Sequence, residues 1–202
     1  MRVAVTGAYG YSGQYMARRL LDQGNEVITL TNSTQRSNPF GRKVKAQPFN
    51  FSNPALLEQT LRGVNILINN YWVRFDLPPL FTHANAVLHA KTLFEAAKRA
   101  GVTRIVHISI TNPDRNSDLP YFSGKAEMED HLRSTGLSHC ILRPTVLFGR
   151  EVPGRKQGAR TTLVQYGSVR QSGESGGASG TRAAGLRGRP ASLIRILRFA
   201  SK

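Results

Sequence analysis

Cysteine is almost absent from this sequence. Cys140 is the single cysteine among 202 residues, so no disulfide can form within the chain and no cysteine cluster can bind a metal ion. We therefore expect no metal site and a reducing compartment. The N-terminus also lacks an apolar run long enough for a signal peptide or a membrane span. These absences together favour a cytoplasmic protein that does not enter a membrane.

Acidic residues are scarce as well. Twelve Asp and Glu stand against 28 Lys and Arg, which gives a formal net charge of +16. Residues 151–202 alone contain ten basic and two acidic residues. Such a charge attracts phosphates, nucleic acid or anionic lipid over long distances, but it describes association rather than fold. We do not expect nucleic acid as a partner, because only Tyr166 and Phe199 in the basic region could stack on bases.

The C-terminal quarter lacks a sustained apolar pattern. From residue 151 onward the chain is dominated by Gly, Arg, Ser and Ala, and such a composition cannot bury enough apolar surface to offset the entropy of ordering it. The sequence thus predicts a domain over residues 1–150 and a largely disordered basic tail over 151–202. Only residues 191–200 have a helical pattern, and this short amphipathic stretch could contact a membrane or a partner.

Strand-length apolar runs alternate with segments of helical period through residue 148. This alternation predicts βαβ units and a mostly parallel sheet. The predicted strands cover residues 2–6, 26–31, 44–49, 64–69, 103–109 and 138–142. The predicted helices cover 11–23, 54 to about 63, 83–100 and 120–134. We therefore expect an α/β fold with a Rossmann-like, doubly wound parallel sheet.

Three glycines follow the first predicted strand at a fixed spacing. Gly7, Gly10 and Gly13 lie in VTGAYGYSG, at the turn into the first predicted helix. Glycine allows a tight turn and a close approach of the backbone to a pyrophosphate, and the helix N-terminus offers free N–H groups to the phosphates. An ordinary strand-to-helix turn is the alternative. The predicted phosphate site includes these glycines together with Tyr9, Tyr11 and Ser12.

No carboxylate follows the second predicted strand. A site that prefers NAD usually has an acidic residue there, which binds the adenosine ribose. This chain instead has Asn32, Ser33 and Arg36, whose polar and charged groups could bind a 2′-phosphate. The sequence therefore predicts NADP(H) rather than NAD(H) as the cofactor, unless Arg36 is simply a solvated loop cation.

A tyrosine and a lysine share one face of the fourth predicted helix. Tyr121 and Lys125 are four residues apart, so their side chains project in the same direction. Ser109, at the end of the fifth predicted strand, precedes Tyr121 by twelve residues. With the segments VTGAYGYSG, VHIS, YFSGK and ILRPTVLFG, this arrangement resembles the short-chain dehydrogenase/reductase superfamily. The similarity is to its atypical and extended members, the NAD-dependent epimerase/dehydratase-like and NAD(P)H-binding proteins, and covers about 150 of the 202 residues.

The resemblance implies a role for each of these residues. Tyr121 would be the general acid/base, Lys125 would favour its phenolate and bind the nicotinamide ribose, and Ser109 would bind the substrate oxygen. Thr111 is a second candidate for the hydroxyl role. The alternative is that Tyr121 and Lys125 form a surface pair and that Ser109 caps a strand. The expected function is that of an NAD(P)-dependent oxidoreductase or a sugar-nucleotide epimerase/dehydratase, acting on an unknown carbonyl or sugar-nucleotide substrate.

Two departures from the superfamily pattern leave another function open. Asn50 stands where relatives often have an aspartate near the adenine, and nothing after Arg150 resembles the region that builds their substrate pocket. A frameshifted or truncated C-terminus is one hypothesis for this difference. The chain could then be a non-catalytic cofactor-binding protein, such as a redox sensor or accessory subunit, or an inactive remnant. Three aromatic residues after the fourth predicted strand could line the cofactor cleft, belong to the core or form a homodimer contact: Tyr71, Trp72 and Phe75.

Overall fold

The computed structural model describes residues 1–79 and 81–145, which contain six strands and four α-helices. The strands are β1 (Arg2–Thr6), β2 (Glu26–Leu30), β3 (Val44–Gln47), β4 (Ile66–Asn69), β5 (Arg104–Ile108) and β6 (Ser138–Leu142). The helices are α1 (Tyr11–Asp22), α2 (Pro54–Leu61), α3 (His83–Arg99) and α4 (Pro120–Ser134), with a short 3-10 helix at Gly41–Lys43. Every element predicted within these residues is present, and the ends differ from the predicted ones by no more than about two residues.

The strands form one parallel sheet in the order β3-β2-β1-β4-β5-β6. The chain builds outward from β1 to β3 and then returns to the middle, so that β4 pairs with β1 on its other side. The carboxyl ends of β1 and β4 are consequently adjacent. In open α/β sheets this change of direction creates the crevice where ligands bind. The predicted doubly wound sheet is confirmed.

Each face of the sheet has its own apolar core. On one face, Leu57 of α2, Phe94 of α3 and Met128 of α4 pack against strand residues such as Leu67. On the other face, α1 contributes Ala17 and Leu20 to a second cluster. Burial on both faces explains why the central strands are almost continuously apolar in sequence.

The helix starts follow from local capping. The Asn53 side chain accepts a hydrogen bond from the backbone N–H of Leu56 at 3.2 Å, and Pro54 occupies the first turn of α2. Thr82 caps α3 in the same way by accepting from the N–H of Asn85 at 3.0 Å. The predicted C-cap Gly24 has a positive φ of 77°, which glycine adopts without strain.

Some expectations fall outside the described residues. The predicted disordered tail and the helical pattern at residues 191–200 both lie within 146–202, and Arg150 lies there too. Within residues 1–79 and 81–145, no helix is long and apolar enough to cross a membrane. The same residues contain no cluster of three or more side chains suited to a metal ion.

Candidate cofactor-binding and active site

The turn between β1 and α1 has the geometry that a phosphate-binding turn requires. Gly7 has a positive φ of 67°, and its carbonyl accepts a hydrogen bond from the Gly10 N–H at 2.8 Å. A Cβ on Gly13 would lie only 2.2 Å from the Gly7 oxygen, so no other residue fits there. Gly10 caps α1 without a side-chain hydrogen bond, which leaves the first N–H groups of the helix available to a ligand.

The three other residues predicted for this turn occupy different positions. Ser12 is half-buried and Tyr11 is exposed, both in the first turn of α1. Tyr9 instead lies in the apolar cluster beneath α1, where its hydroxyl donates to the carbonyl of Val44 at 2.9 Å. Tyr9 therefore joins the glycine turn to β3, while Tyr11 and Ser12 are at the end of the helix where a phosphate would bind.

The residues predicted to bind the adenosine end are on the loop after β2. Asn32, Ser33 and Arg36 are all exposed, and a turn is closed by the Arg36 N–H donating to the Ser33 carbonyl at 3.1 Å. Asn50 follows β3, the neighbouring strand, and has a positive φ of 48°. All four residues are thus beyond the carboxyl ends of β2 and β3, on the same side of the sheet as the glycine turn.

A row of buried polar side chains links β1, β4 and β5 near their carboxyl ends. Thr6 Oγ1 accepts a hydrogen bond from the Asn70 N–H at 2.6 Å, and Asn69 Nδ2 lies 3.0 Å from His107 Nδ1. The amide of Asn69 can only donate to that nitrogen, so the ring carries its proton on Nε2. Burial, together with the charge of Lys125, lowers the pKa of His107 well below its ordinary value. His107 is therefore a neutral ring beneath the site.

A cavity of about 570 Å³ opens beyond the carboxyl ends of β4, β5 and β6. It lies within the range of roughly 300–1,000 Å³ that small-molecule sites occupy. Five of the residues selected from the sequence line it: Trp72, Ser109, Thr111, Tyr121 and Lys125. Of the other aromatic residues considered, Phe75 is exposed, and Tyr71 packs against Phe49 and Phe51.

Lys125 is enclosed by the protein, with 3% of its surface exposed. Its Nζ donates to the carbonyl of Ile108 at 3.0 Å and lies 4.6 Å from the centre of the Trp72 ring. Burial lowers the pKa of Lys125 to about 7, although the charge of Glu129 opposes this effect. The amine consequently exists in both protonation states near neutral pH.

Tyr121 is surrounded by side chains that its sequence motif did not indicate. Its ring packs edge-on against Trp72 and against His83, with centroid distances of 5.7 Å in both cases. His83 Nδ1 lies 2.8 Å from an Asp76 carboxylate oxygen. Burial raises the pKa of Tyr121, and the positive charge of Arg74 partly opposes this shift. The spacing of these residues in the sequence does not predict their contacts. The residues meet only because the segment after β4 packs against α4 in the folded chain.

Ser109 is part of a buried charged network. Glu129 is 1% exposed and accepts hydrogen bonds from both Arg133 and Arg143. Burial raises the pKa of Glu129, but interactions with Arg143, Ser109 and Arg133 outweigh it and keep the pKa below its ordinary value. The Ser109 hydroxyl itself forms no hydrogen bond of normal geometry. Ser109 therefore lines the cavity, and its side chain lies next to Glu129.

Two buried polar atoms at the aromatic side of this cavity have no hydrogen-bond partner, namely Trp72 Nε1 and His83 Nε2. His107 Nε2, beneath the site, also has none. Buried polar groups in proteins are nearly always paired, and exceptions often mark a place where a ligand or water binds. Thr111 differs from them, because its hydroxyl donates to the carbonyl of Pro144 at 3.1 Å. These atoms and the glycine turn fit a polar ligand that extends along the carboxyl edge of the sheet.

The fold and the glycine turn define a nucleotide-binding protein of the Rossmann type. More particularly, the chain belongs to the NAD(P)H-binding family, whose sequence model matches residues 7–174. This match confirms the resemblance to the NAD(P)H-binding members of the short-chain dehydrogenase/reductase superfamily. It also confirms that the expected ligand is a nicotinamide dinucleotide.

Several curated proteins are similar in sequence. The "Photosystem II assembly factor Ycf39" of Guillardia theta is 30% identical over 151 residues, which are 73% of this chain and 47% of that protein. The "NADH-ubiquinone oxidoreductase 40 kDa subunit, mitochondrial" of Neurospora crassa is 27% identical over 153 residues, 73% of this chain and 40% of that protein. The chain therefore spans less than half the length of these two relatives.

Solved structures share the fold. Triphenylmethane reductase of Citrobacter sp. has a TM-score of 0.59 and 21% identity, covering 73% of this chain and 50% of that one. UDP-glucose 4-epimerase of Bifidobacterium longum, solved with NAD+ and UDP, has a TM-score of 0.61 and 20% identity, covering 71% of this chain and 52% of that one. At these identities the similarity concerns the fold alone.

Proposed function

We propose that this protein is an NADP(H)-dependent oxidoreductase that acts on a carbonyl compound. The observation that carries the proposal is that Tyr121 and Lys125 line one cavity with Ser109 and Thr111. The cavity lies beyond the carboxyl ends of β4, β5 and β6, and β4 pairs with β1, the strand that leads into the glycine turn. A nicotinamide cofactor supplies hydride chemistry when bound.

The preference for NADP(H) rests on the loop after β2. Asn32, Ser33 and Arg36 are exposed at the edge where the adenosine half of a dinucleotide would lie. None of the ion pairs found in residues 1–79 and 81–145 engages Arg36. A free guanidinium suits a 2′-phosphate, because it can form charge-assisted hydrogen bonds with the phosphate oxygens.

The proposed roles follow from the positions of the side chains. Tyr121 transfers a proton to or from the substrate oxygen. Lys125 is fixed to the Ile108 carbonyl and binds the ribose next to the nicotinamide. Thr111 and Ser109 are the hydroxyl candidates for the substrate oxygen, and Thr111 would have to release the Pro144 carbonyl to donate a hydrogen bond.

A non-catalytic function is the second candidate. The two curated relatives are named as an assembly factor and as a subunit of a larger enzyme, and neither name describes a separate reaction. In addition, burial raises the pKa of Tyr121, which disfavours its phenolate. In this case the protein would bind the dinucleotide as a sensor or accessory subunit without turning over a substrate.

Single-turnover kinetics separate these two functions. The full chain is loaded with NADPH, mixed with a panel of aldehydes and ketones, and followed by the fluorescence of the reduced nicotinamide. The oxidoreductase proposal expects oxidation by at least one carbonyl compound, slowed at least a hundredfold in Tyr121→Phe, because acid/base catalysis contributes roughly 10²–10⁴-fold. Equal NADPH binding in both proteins and no oxidation in either would favour the non-catalytic function.

Three further expectations remain proposals. We propose that residues 1–150 are the cofactor-binding unit, that the protein is cytoplasmic and that it forms a homodimer. The first can be tested by comparing NADPH binding by residues 1–150 and by the full chain. Sedimentation of the full chain measures the oligomeric state.

A further inference from the structure

The cavity has an aromatic wall. Trp72, Tyr121 and Phe122 line it, and Tyr121 contacts the other two at centroid distances of 5.7 and 5.5 Å. His83 supports this wall from behind, because it is 8% exposed and packs against Trp72 at 5.3 Å. The rings meet edge to face, with interplanar angles of 75° and 68°, and together they offer a rigid apolar surface to an aromatic ligand.

The rest of the lining is mostly uncharged. Ile108, Ile110 and Pro144 add aliphatic surface, and short hydroxyl and amide side chains supply the polar groups. Among the lining residues that the structure describes, only Tyr121 and Lys125 can ionise. Lys125 donates to the Ile108 carbonyl and packs on the Trp72 ring. In the proposed function its remaining hydrogens bind the nicotinamide ribose, so this cation is not left over for a diphosphate. Arg74 acts on Tyr121, but it is exposed and is not part of the lining.

Two exposed apolar side chains flank the aromatic wall along the chain. Phe75, three residues after Trp72, is 74% exposed, and Leu119, two residues before Tyr121, is 60% exposed. Leu77 and Phe81 on the same segment as Phe75 are also exposed. These side chains place exposed apolar surface on the two segments that carry Trp72 and Tyr121.

We infer that the substrate is a flat, uncharged aromatic aldehyde or ketone and not a sugar nucleotide. The inference rests on the proposed function and specifies its substrate class. In the reduction, the carbonyl carbon gains a hydride from NADPH and the oxygen gains a proton through Tyr121. The π bond of the carbonyl breaks, the substrate becomes an alcohol, and NADPH is oxidised to NADP+.

The indole ring of Trp72 makes ligand binding in the cavity measurable without turnover. Trp72 is the only tryptophan in the chain, so its emission reports on this cavity alone. The full chain is saturated with NADP+ and titrated separately with 2-acetonaphthone, with UDP-glucose and with cyclohexanecarbaldehyde. We expect saturable quenching at micromolar concentrations of 2-acetonaphthone and no response to UDP-glucose at a hundredfold higher concentration. Cyclohexanecarbaldehyde, which is apolar but not flat, should bind at least tenfold more weakly than 2-acetonaphthone.

A pair of variants tests the aromatic wall in turnover. Phe122→Ala should raise KM for 2-naphthaldehyde about tenfold, since an aromatic contact contributes roughly 0.5–1.5 kcal/mol beyond its buried area. The dissociation constant of NADPH should not change. Leu88→Ala is the matched control, because Leu88 is exposed on α3 and does not line the cavity.

The outcomes distinguish this inference from the proposed function. Turnover of UDP-glucose without any response to the naphthyl compounds would overturn the substrate class and leave the cofactor proposal intact. Binding of NADPH without quenching of Trp72 emission by either 2-acetonaphthone or UDP-glucose would likewise overturn the substrate class and leave the cofactor proposal intact. A protein that does not bind NADPH at all would overturn the proposed function and this inference with it.

Discussion

The ammonium nitrogen of Lys125 lies 4.6 Å from the centre of the Trp72 ring, inside the wall of the cavity. The contact joins a residue of α4 to one on the segment after β4, and it buries a group that is usually at the surface. A cation above an indole ring is stabilised by the ring quadrupole, yet burial still lowers the pKa of Lys125 to about 7. A titrating charge therefore lies against the single tryptophan of the chain.

Trp72 emission should consequently change with pH. We expect a transition with a midpoint near pH 7, where Lys125 gains or loses its proton. The transition should disappear in Lys125→Met. Because His83 also packs against Trp72, His83→Gln is the matched control and should retain it. A transition that persists in Lys125→Met would contradict the assignment of the amine as the group that titrates beside the ring.

The low pKa of Lys125 should also make stability depend on pH. The folded-state pKa of about 7 lies below the ordinary value of 10.5, so the unfolded chain binds this proton more tightly. The contribution of Lys125 to the free energy of unfolding is therefore most unfavourable below pH 7 and becomes less so as the pH rises toward 10.5. Wild type should gain about 2 kcal/mol relative to Lys125→Met between pH 7 and 9, at about 1.4 kcal/mol per pH unit. Urea unfolding of both proteins at each pH measures this difference, and parallel curves would contradict the assignment.

Glu129 should be important for stability although it is not a reacting group. Its buried carboxylate accepts from Arg133 and Arg143, and Arg143 precedes the cavity residue Pro144. Glu129→Gln removes the buried charge that pairs with both guanidinium groups, although Arg133 keeps its contact with Asp130. We expect a loss of about 2 kcal/mol, below the roughly 3–5 kcal/mol typical of a fully buried pair, since both arginines are partly exposed.

The matched control for Glu129→Gln is Asp130→Asn, which removes the charge of the neighbouring carboxylate. Asp130 is exposed and also pairs with Arg133, so its loss should cost less than about 1 kcal/mol. Chemical denaturation measures both variants. Equal losses would show that the burial of Glu129 does not distinguish it from a surface ion pair.

Gly13 should be indispensable to the cofactor turn. An added Cβ would lie 2.2 Å from the Gly7 carbonyl oxygen, which forces the first turn of α1 away from β1. We expect Gly13→Ala to weaken NADPH binding at least a hundredfold and to destabilise the fold. Gly24→Ala is the control, because a Cβ there meets nothing within 4 Å; it should cost about 1 kcal/mol for its positive φ and leave NADPH binding unchanged. Tight NADPH binding by a folded Gly13→Ala protein would contradict the assignment of the turn.

The fold could be predicted largely from local patterns. The strands are buried on both faces and therefore read as short apolar runs, while the helix ends are marked by residues such as Asn53 and Gly24. The motif residues Tyr121 and Lys125 could be found because a helix places positions four apart on one face. Their convergence with Ser109 and Thr111 follows from the parallel sheet, in which the carboxyl ends of neighbouring strands meet.

The surroundings of the site could not be predicted in this way. Arg74 and Asp76 come from the irregular segment between β4 and α3, and His83 is the first residue of α3. Only tertiary packing brings Arg74 and His83 close to Tyr121, and Asp76 close to His83. The burial of Tyr9 is another example, because its position in a glycine turn suggested a cofactor contact. Its hydroxyl donates to the carbonyl of Val44, on a strand that is two places away in the sheet, and the cofactor contact stays a prediction.

The most direct test of the central claim is a thermal-shift titration of the full chain with NADPH and with NADH. A ligand that binds only the folded state raises the melting temperature as its concentration exceeds its dissociation constant. We expect a cooperative melt, an increase with NADPH larger than with NADH, and the loss of most of this difference in Arg36→Ala. A cooperative melt that neither cofactor shifts would contradict the account of this protein as a nicotinamide dinucleotide-binding protein.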